Sequence, residues 1–303
     1  MSNIVIAITS PYKKDVNPET KVIQDFLRSE GYSCILYDWN NVKSTLSMAD
    51  VVIHRHVGSI RERYNQGFKS YLSEIRKIDN VSFVNNIESY EYGIKKEYLL
   101  DLQYRGFPTI PTVKVASTTS YERVMEIKEI LSLGKAVMKP IDGELAQDVK
   151  LLSEIDRNLY NKVSKRTSSL LLQPFVEGIR NGERSLSIVM INGTLHIPYG
   201  IKRIPKDWIA KSSECEEIRE FEPSEREKMI TKNIFKSGVF DFLNNGFFRI
   251  DFVGEKSKLV NEVEIVNPEV GLNNLSKAKK EEYLSLFKKM IKNKHEKRRK
   301  RGG

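Results

Sequence analysis

Four charged side chains, Arg249, Asp251, Glu262 and Glu264, interrupt two apolar runs, FFRIDFV and LVNEVEIV, at alternate positions. Successive side chains of a strand leave by opposite faces, so Arg249, Asp251 and Val253 share one face while Phe248, Ile250 and Phe252 share the other. The same alternation aligns Glu262 with Glu264, away from Val263 and Ile265. A four-residue loop over 255–258, closed by Gly254 and Leu259, would set Asp251 across from Glu262 and Arg249 across from Glu264. Opposed residues stand about 5 Å apart, where like charges repel unless a cation lies between them. Three carboxylates beside one arginine suit bound Mg²⁺ and phosphate. An antiparallel hairpin with one wet face shows the same alternation, so residues further upstream must decide between the two.

Two lysines and a proline turn bear on that choice. Lys139 closes the apolar run AVM just before Pro140 and a polar loop, a strand end at which an ammonium can be held toward phosphate oxygens. Lys96 starts the KEYLLDL turn of an earlier helix. Gln173, Pro174, Phe175, Val176 and Glu177 leave a strand through the proline and can expose backbone groups to a flat base. Adenine asks for such a slot: apolar walls, a few backbone hydrogen bonds and a carboxylate for the ribose. Taken singly, each lysine also reads as a surface residue; the order of lysines, slot and hairpin is the specific signal.

These residues need strands and helices to carry them. The first 85 residues alternate apolar runs with amphipathic stretches such as 20–30, a β-α-β rhythm that predicts a Rossmann-like parallel sheet. Ligands bind such sheets beyond the carboxyl ends of their strands, where His54, Arg55, His56, Gly58 and Ser59 fall. Gly58 and Ser59 could open a helix that holds an anion. His54 and His56 lack a third ligand and read as ordinary strand-end residues. A helix is expected over 89–104, stopped by Gly106, then a helix over 121–133 and strands over 135–139, 149–152 and 170–173. Asn192-Gly193 marks a two-residue hairpin turn. Counting outward from it puts Glu183 opposite Lys202, with Pro198 and Gly200 as candidates for a bulge that would shift the register.

The ordered set resembles the ATP-grasp ligases, in particular the glutathione-synthetase-like and D-cycloserine-synthetase-like carboxylate–amine ligases, over about residues 85–275. The K-x-YL-x-x-L helix matches Lys96, Tyr98, Leu99 and Leu102, the KP strand end Lys139 and Pro140, and the hinge Gln173, Pro174 and Phe175. GE-x-SL matches Gly182, Glu183, Ser185 and Leu186. His196, Lys202, Arg203 and Pro205 continue the series, and Arg249, Asp251, Glu262, Glu264 and Pro268 complete it. The resemblance implies an α/β fold, α+β in its C-terminal part: an ATP-grasp fold preceded by the Rossmann-like unit. The implied divisions are 1–85 for the N-terminal unit, 86–180 for a linker helix and small lid, 181–287 for the Mg²⁺- and phosphate-holding part, and 288–303 for a basic tail. By resemblance, Lys96, Lys139 and Lys202 contact ATP phosphates. Gln173, Pro174, Phe175, Val176, Glu177 and Glu183 complete the ATP-binding set, and Asp251, Glu262 and Glu264 bind Mg²⁺. Asn267 is either a further ligand or a turn residue before Pro268. Arg249 would stabilise the transferring phosphoryl group and the acyl phosphate. Two segments depart from the family pattern: DGELAQDV after Lys139 carries one glycine, and in KDWIAKS Lys206 and Ile209 replace a glycine and an arginine, with Lys206 or Lys211 as candidate substitutes.

The expected activity is an ATP- and Mg²⁺-dependent ligase joining a small-molecule carboxylate to an amine. A phosphotransferase or a non-catalytic nucleotide-binding scaffold on the same fold are the alternatives. Arg55, Arg61 and Arg203 are candidates to hold a substrate carboxylate; for each the alternative is a solvated arginine or an ion-pair partner. With 303 residues the chain can bury a substantial core. Of its net charge of +10, the stretch 288–301 supplies +8, from nine lysines and arginines against one glutamate. The body is close to neutral, so a nucleic-acid partner is not expected from it. Cys34 and Cys215 form no ligand or disulfide pattern. The N-terminal apolar run is too short for a signal peptide and no stretch approaches a membrane span, so a cytoplasmic protein without membrane contact is expected.

Overall fold

The computed structural model describes residues 4–9, 16–39, 46, 48–55, 67–78, 81–143, 146–254 and 258–299. Apolar runs at the N-terminus form a parallel sheet in the order β2-β1-β3-β4, from β1 (Val5–Thr9), β2 (Ser33–Tyr37), β3 (Val51–Ile53) and β4 (Ser82–Val84). Between the first two lies α1 (Pro18–Ser29). Asn17 caps it by accepting the Glu19 and Thr20 amides, Pro18 needs no donor there, and Ile23 and Leu27 face the core. A short helix α2 (Lys69–Ile75) follows.

The helix expected over 89–104 is two helices, α3 (Ile87–Gly93) and α4 (Tyr98–Tyr104). Tertiary contacts override the periodic pattern. At Gly93 a Cβ would come 2.9 Å from Val266 Cγ2, and the Lys96 amide donates to the Ile141 carbonyl at 2.7 Å. The break therefore ties the start of α4 to the chain just after Lys139.

A second sheet, ordered β5-β8-β6-β7, contains β5 (Val113–Ala116), β6 (Ala136–Pro140), β7 (Lys150–Leu151) and β8 (Ser169–Pro174). Helices α5 (Tyr121–Ile130) and α6 (Arg157–Ser164) cover one face through Val124, Tyr160 and Val163. The third sheet is antiparallel, ordered β11-β10-β9-β12-β13, with β9 (Glu183–Ile191), β10 (Thr194–Pro205), β11 (Cys215–Phe221), β12 (Gly246–Val253) and β13 (Leu259–Glu264). Against its apolar face packs α7 (Glu225–Lys236), which opens on a Ser224/Glu227 capping box.

The last helix, α8 (Lys277–Arg299), joins the first and third sheets. Its Tyr283, Phe287, Met290 and Ile291 share one core with Ile6, Ile8, Val51 and Ile53 of the N-terminal sheet and with Val189 and Phe247 of the large sheet. Met290 and Ile291 lie beyond the boundary expected at 288, so the basic stretch begins inside a packed helix. The turn at Asn192-Gly193 is as expected, both residues having positive φ, 51° and 77°.

Candidate active site

A cavity of about 420 Å³ opens between the second and third sheets. Its floor is the β12–β13 hairpin, where Arg249 pairs with Glu264 and Asp251 with Glu262. The expected alignment holds, but not through a four-residue loop: Val253 pairs with Leu259, and a bulge between Asp251 and Phe252 restores the register. The bulge leaves Asn261 as the extra residue and turns it into the cavity beside Glu262. Strict alternation hides Asn261, so sequence reasoning missed it.

Arg249 grips Asp251 with two parallel bonds, Nε to Oδ1 at 2.8 Å and Nη2 to Oδ2 at 2.9 Å, and its Nη1 donates to the Glu269 carbonyl at 2.8 Å. Burial opposes both charges; the pairing outweighs it, holding Asp251 below and Arg249 above the ordinary value. Glu264 accepts the Val266 and Asn267 amides at 3.1 and 3.0 Å, yet burial and the adjacent Glu262 charge push its carboxyl up. Glu183 accepts from Asn261 Nδ2 at 2.8 Å; burial, then Asp251, raise it to about 7 against the pull of Arg203 and Arg249.

From the opposite wall come Lys96 and Lys139. Lys96 Nζ lies 3.0 Å from Glu262 Oε1 and donates to the Gly143 carbonyl at 2.6 Å. Burial lowers Lys139 to about 8, with Lys96 adding to the shift and Glu262 opposing it. In all three groups burial is the main cause, and for the carboxyls a neighbouring carboxylate adds to it. Among the described residues no three acidic, histidine or cysteine side chains already form a metal cluster; the carboxylates are instead engaged by Lys96 and Arg249. The donor set is all oxygen, and a cation between Glu262 and Glu264 would relieve their repulsion, so these residues fit a hard divalent ion.

At the other end of the cavity, Gln173 and Pro174 end β8 and Phe175 and Val176 follow it, with Ile110, Ile179 and Trp208 as apolar walls. The Phe175 amide donates to the Lys135 carbonyl at 2.7 Å, Lys135 Nζ sits 3.9 Å from the Phe175 ring centre, and Trp208 meets that ring edge-on at 5.7 Å. Gln173 Nε2 donates to Thr112 Oγ1 at 2.7 Å, fixing the amide in a buried setting.

The structure does not bring every expected residue here. Lys202 is outside the cavity lining, its stem against Gly182 and its strand neighbours Arg184 and Arg219. A bulge between His196 and Tyr199 shifts the ladder by one, so Arg203 faces Glu183 and lines the cavity in its place. Glu177 also lies outside the lining, an exposed side chain near Arg180 and Lys135. Arg55 is 3% exposed and ion-paired with Glu19, away from the cavity. Arg61, with His56, Gly58 and Ser59, lies outside the described residues. His54 is buried, stacked on Phe83 and bonded through Nε2 to the Tyr71 hydroxyl at 2.6 Å; burial lowers it to about 4, a neutral core histidine. Of the candidate substitutes Lys206 and Lys211, Lys211 lines the cavity. Glu269, which sequence reasoning also missed, lines it two residues past Asn267.

Comparison with known proteins shows the family and the fold. The model of the prokaryotic glutathione synthetase ATP-grasp domain matches residues 102–280. The cycloserine biosynthesis protein DcsG of Streptomyces lavendulae is 25% identical over 219 residues, 63% of this chain and 69% of that protein. The crystal structure of D-cycloserine synthetase DcsG superposes with a TM-score of 0.77 at 18% identity, covering 97% of this chain and 99% of that one. A D-alanine–D-alanine ligase from Bacillus anthracis complexed with ATP gives 0.63 at 14% identity, covering 99% and 100%. With more than half of its length matched by the family model, the chain belongs to the ATP-grasp family of the prokaryotic glutathione synthetase type.

Proposed function

We propose that this ATP-grasp protein is an ADP-forming carboxylate–amine ligase acting on small-molecule substrates through an acyl phosphate. The observation that carries the reading is a cavity in which an apolar base slot, Lys96, Lys139, Arg203, Arg249 and an acidic hairpin converge. Adenine enters between Phe175, Val176 and Trp208, and Glu183 stands with Asn261 and Arg203 toward the phosphate end. Lys139 and Lys96 receive the phosphates. Asp251, Glu262 and Glu264, with Asn267 beside them, would hold Mg²⁺, which would supply charge neutralisation on the phosphate oxygens.

A substrate carboxylate oxygen attacks the γ-phosphorus and ADP leaves; the amine then attacks the acyl carbon and phosphate leaves. Arg249 and Arg203, fixed by shared bonds to the Glu269 carbonyl, offset the charge that develops on the transferring group. No protein nucleophile is required. We read residues 1–85 as the substrate-holding unit, 86–180 as the nucleotide cover and 181–287 as the phosphate- and metal-holding part.

The test is ADP release from ATP and Mg²⁺ over pooled carboxylic acids and amines, with products identified by mass. An amide supports the proposal. A released phosphoester would make the protein a phosphotransferase, and failure of ATP with Mg²⁺ to bind would end both readings.

A further inference from the structure

The buried pair Arg55–Glu19 belongs to the N-terminal sheet and α1, yet its carboxylate reaches the turn that carries Glu269. Glu19 Oε2 accepts the Val270 amide at 3.1 Å and its Oε1 the Leu272 amide at 2.8 Å. The Tyr199 hydroxyl donates to the Val270 carbonyl at 3.0 Å. Gly271 has a left-handed φ of 78°, and a Cβ there would meet Ile201 Cγ1 at 2.7 Å. The turn is therefore held in one shape from both sides. Its Glu269 carbonyl is where Arg203 Nη2, at 3.1 Å, and Arg249 Nη1, at 2.8 Å, meet.

We infer that Arg55 and Glu19 are positioning residues: they fix the 269–272 turn so that its Glu269 carbonyl aligns Arg203 and Arg249 for phosphoryl transfer. The inference rests on the ligase reading above. Direct substrate contact is not their role, since Arg55 and Glu19 are 3% and 4% exposed. Nor is plain stability a sufficient reason for the pair. Arg55 Nε and Nη1 are buried without a partner among the described residues, a cost that an apolar pair of similar size would avoid.

What the guanidinium does supply is a lasting charge beside Glu19. It sits against Oε2, the same oxygen that accepts the Val270 amide, so the ion pair and the turn share one anchor. Arg55 also stands 5.7 Å over the ring of Phe247, two residues from Arg249 on β12, so the pair is braced against the strand it serves.

The experiment compares the wild type with Glu19→Gln, Arg55→Lys and Arg55→Met in the full chain. Two readouts are used: amide hydrogen exchange over 266–275, and affinity for ADP and Mg²⁺ with and without aluminium fluoride, a stand-in for the transferring phosphoryl group. Expected are faster exchange at Val270 and Leu272, unchanged ADP affinity, and a tightening by aluminium fluoride that drops by about a hundredfold, the scale of a 1 Å misplacement. Arg55→Lys keeps the charge and retains part of the effect. Should Arg55→Met not fold, the isosteric Glu19→Gln decides. Unchanged exchange, or unchanged tightening, overturns the inference. A wild type that does not bind ADP refutes the ligase reading and the alignment half of this inference; the exchange data then still decide whether the pair holds the turn.

Discussion

Glu183 faces Arg203 across the β9–β10 ladder, with Arg203 Nη1 3.9 Å from Glu183 Oε1. One bulged residue near Pro198 produces this pairing, and it exchanges the fates of two adjacent cations. Arg203 enters the cavity, while Lys202 points to the other face of the sheet beside Arg184 and Arg219. Arg203→Ala is therefore expected to remove turnover by about two orders of magnitude, the scale of losing one preorganised donor to a developing charge. Lys202→Met should leave the dissociation constant for ATP and Mg²⁺ unchanged within about twofold, as expected for a surface change. Titration calorimetry on both variants checks this; a large loss of ATP affinity in Lys202→Met would put that lysine on the phosphates after all.

Asp251 is 1% exposed and gripped by two nitrogens of Arg249. Asp251→Asn removes one charge of a buried pair and strands the other, a cost of roughly 3–5 kcal/mol in such settings. Denaturant unfolding should show that loss. An added divalent cation should stabilise the wild type and not the variant.

Burial holds Lys139 near 8 in the free protein, with Lys96 adding to the shift and Glu262 opposing it. A bound polyphosphate favours the charged lysine and raises its pKa. At pH values above 8 nucleotide binding must then draw in a proton. Calorimetry in buffers of different ionisation enthalpy should detect that uptake in the wild type. Lys139→Met should bind more weakly and take up none.

Glu183 is raised to about 7 by burial and then by Asp251. In the unfolded chain it ionises in the ordinary carboxylate range, so between that range and 7 the folded state binds the extra proton. Its contribution to stability is complete below the ordinary range and is lost as pH rises through 7. Unfolding curves across that window should show the wild type losing stability with rising pH relative to Glu183→Gln. Parallel curves for the two proteins would contradict the assignment.

Phe175 and Trp208 meet edge-to-face at 5.7 Å beside Val176 at the base slot. Trp208 emission should change on adding ATP, and Phe175→Ala should weaken ATP by roughly 1–3 kcal/mol, the usual contribution of base–aromatic stacking.

The sequence made the acidic hairpin legible because strand alternation fixes which side chains share a face. Arg249 opposite Glu264 and Asp251 opposite Glu262 follow from that rule alone. What it concealed are the places where an inserted residue breaks the rule. Asn261 enters the cavity through one bulge, and Arg203 replaces Lys202 through another. Long-range contacts were equally hidden. Gly93 against Val266 splits a periodic helix in two, and Glu19, in the first turn of α1, caps amides at Val270 and Leu272 some 250 residues away. The order of lysines, hinge and hairpin carried the family because each element is local; the wiring between elements is not.

The central claim is that a substrate carboxylate accepts the γ-phosphoryl group of ATP before an amine captures the acyl carbon. Supplying the carboxylate with both oxygens isotopically labelled, once a product-forming acid and amine are found, tests it most directly. The account predicts that the phosphate released with each amide carries one labelled oxygen from the acid. Phosphate free of label, or label retained in a stable phosphorylated product, would contradict it.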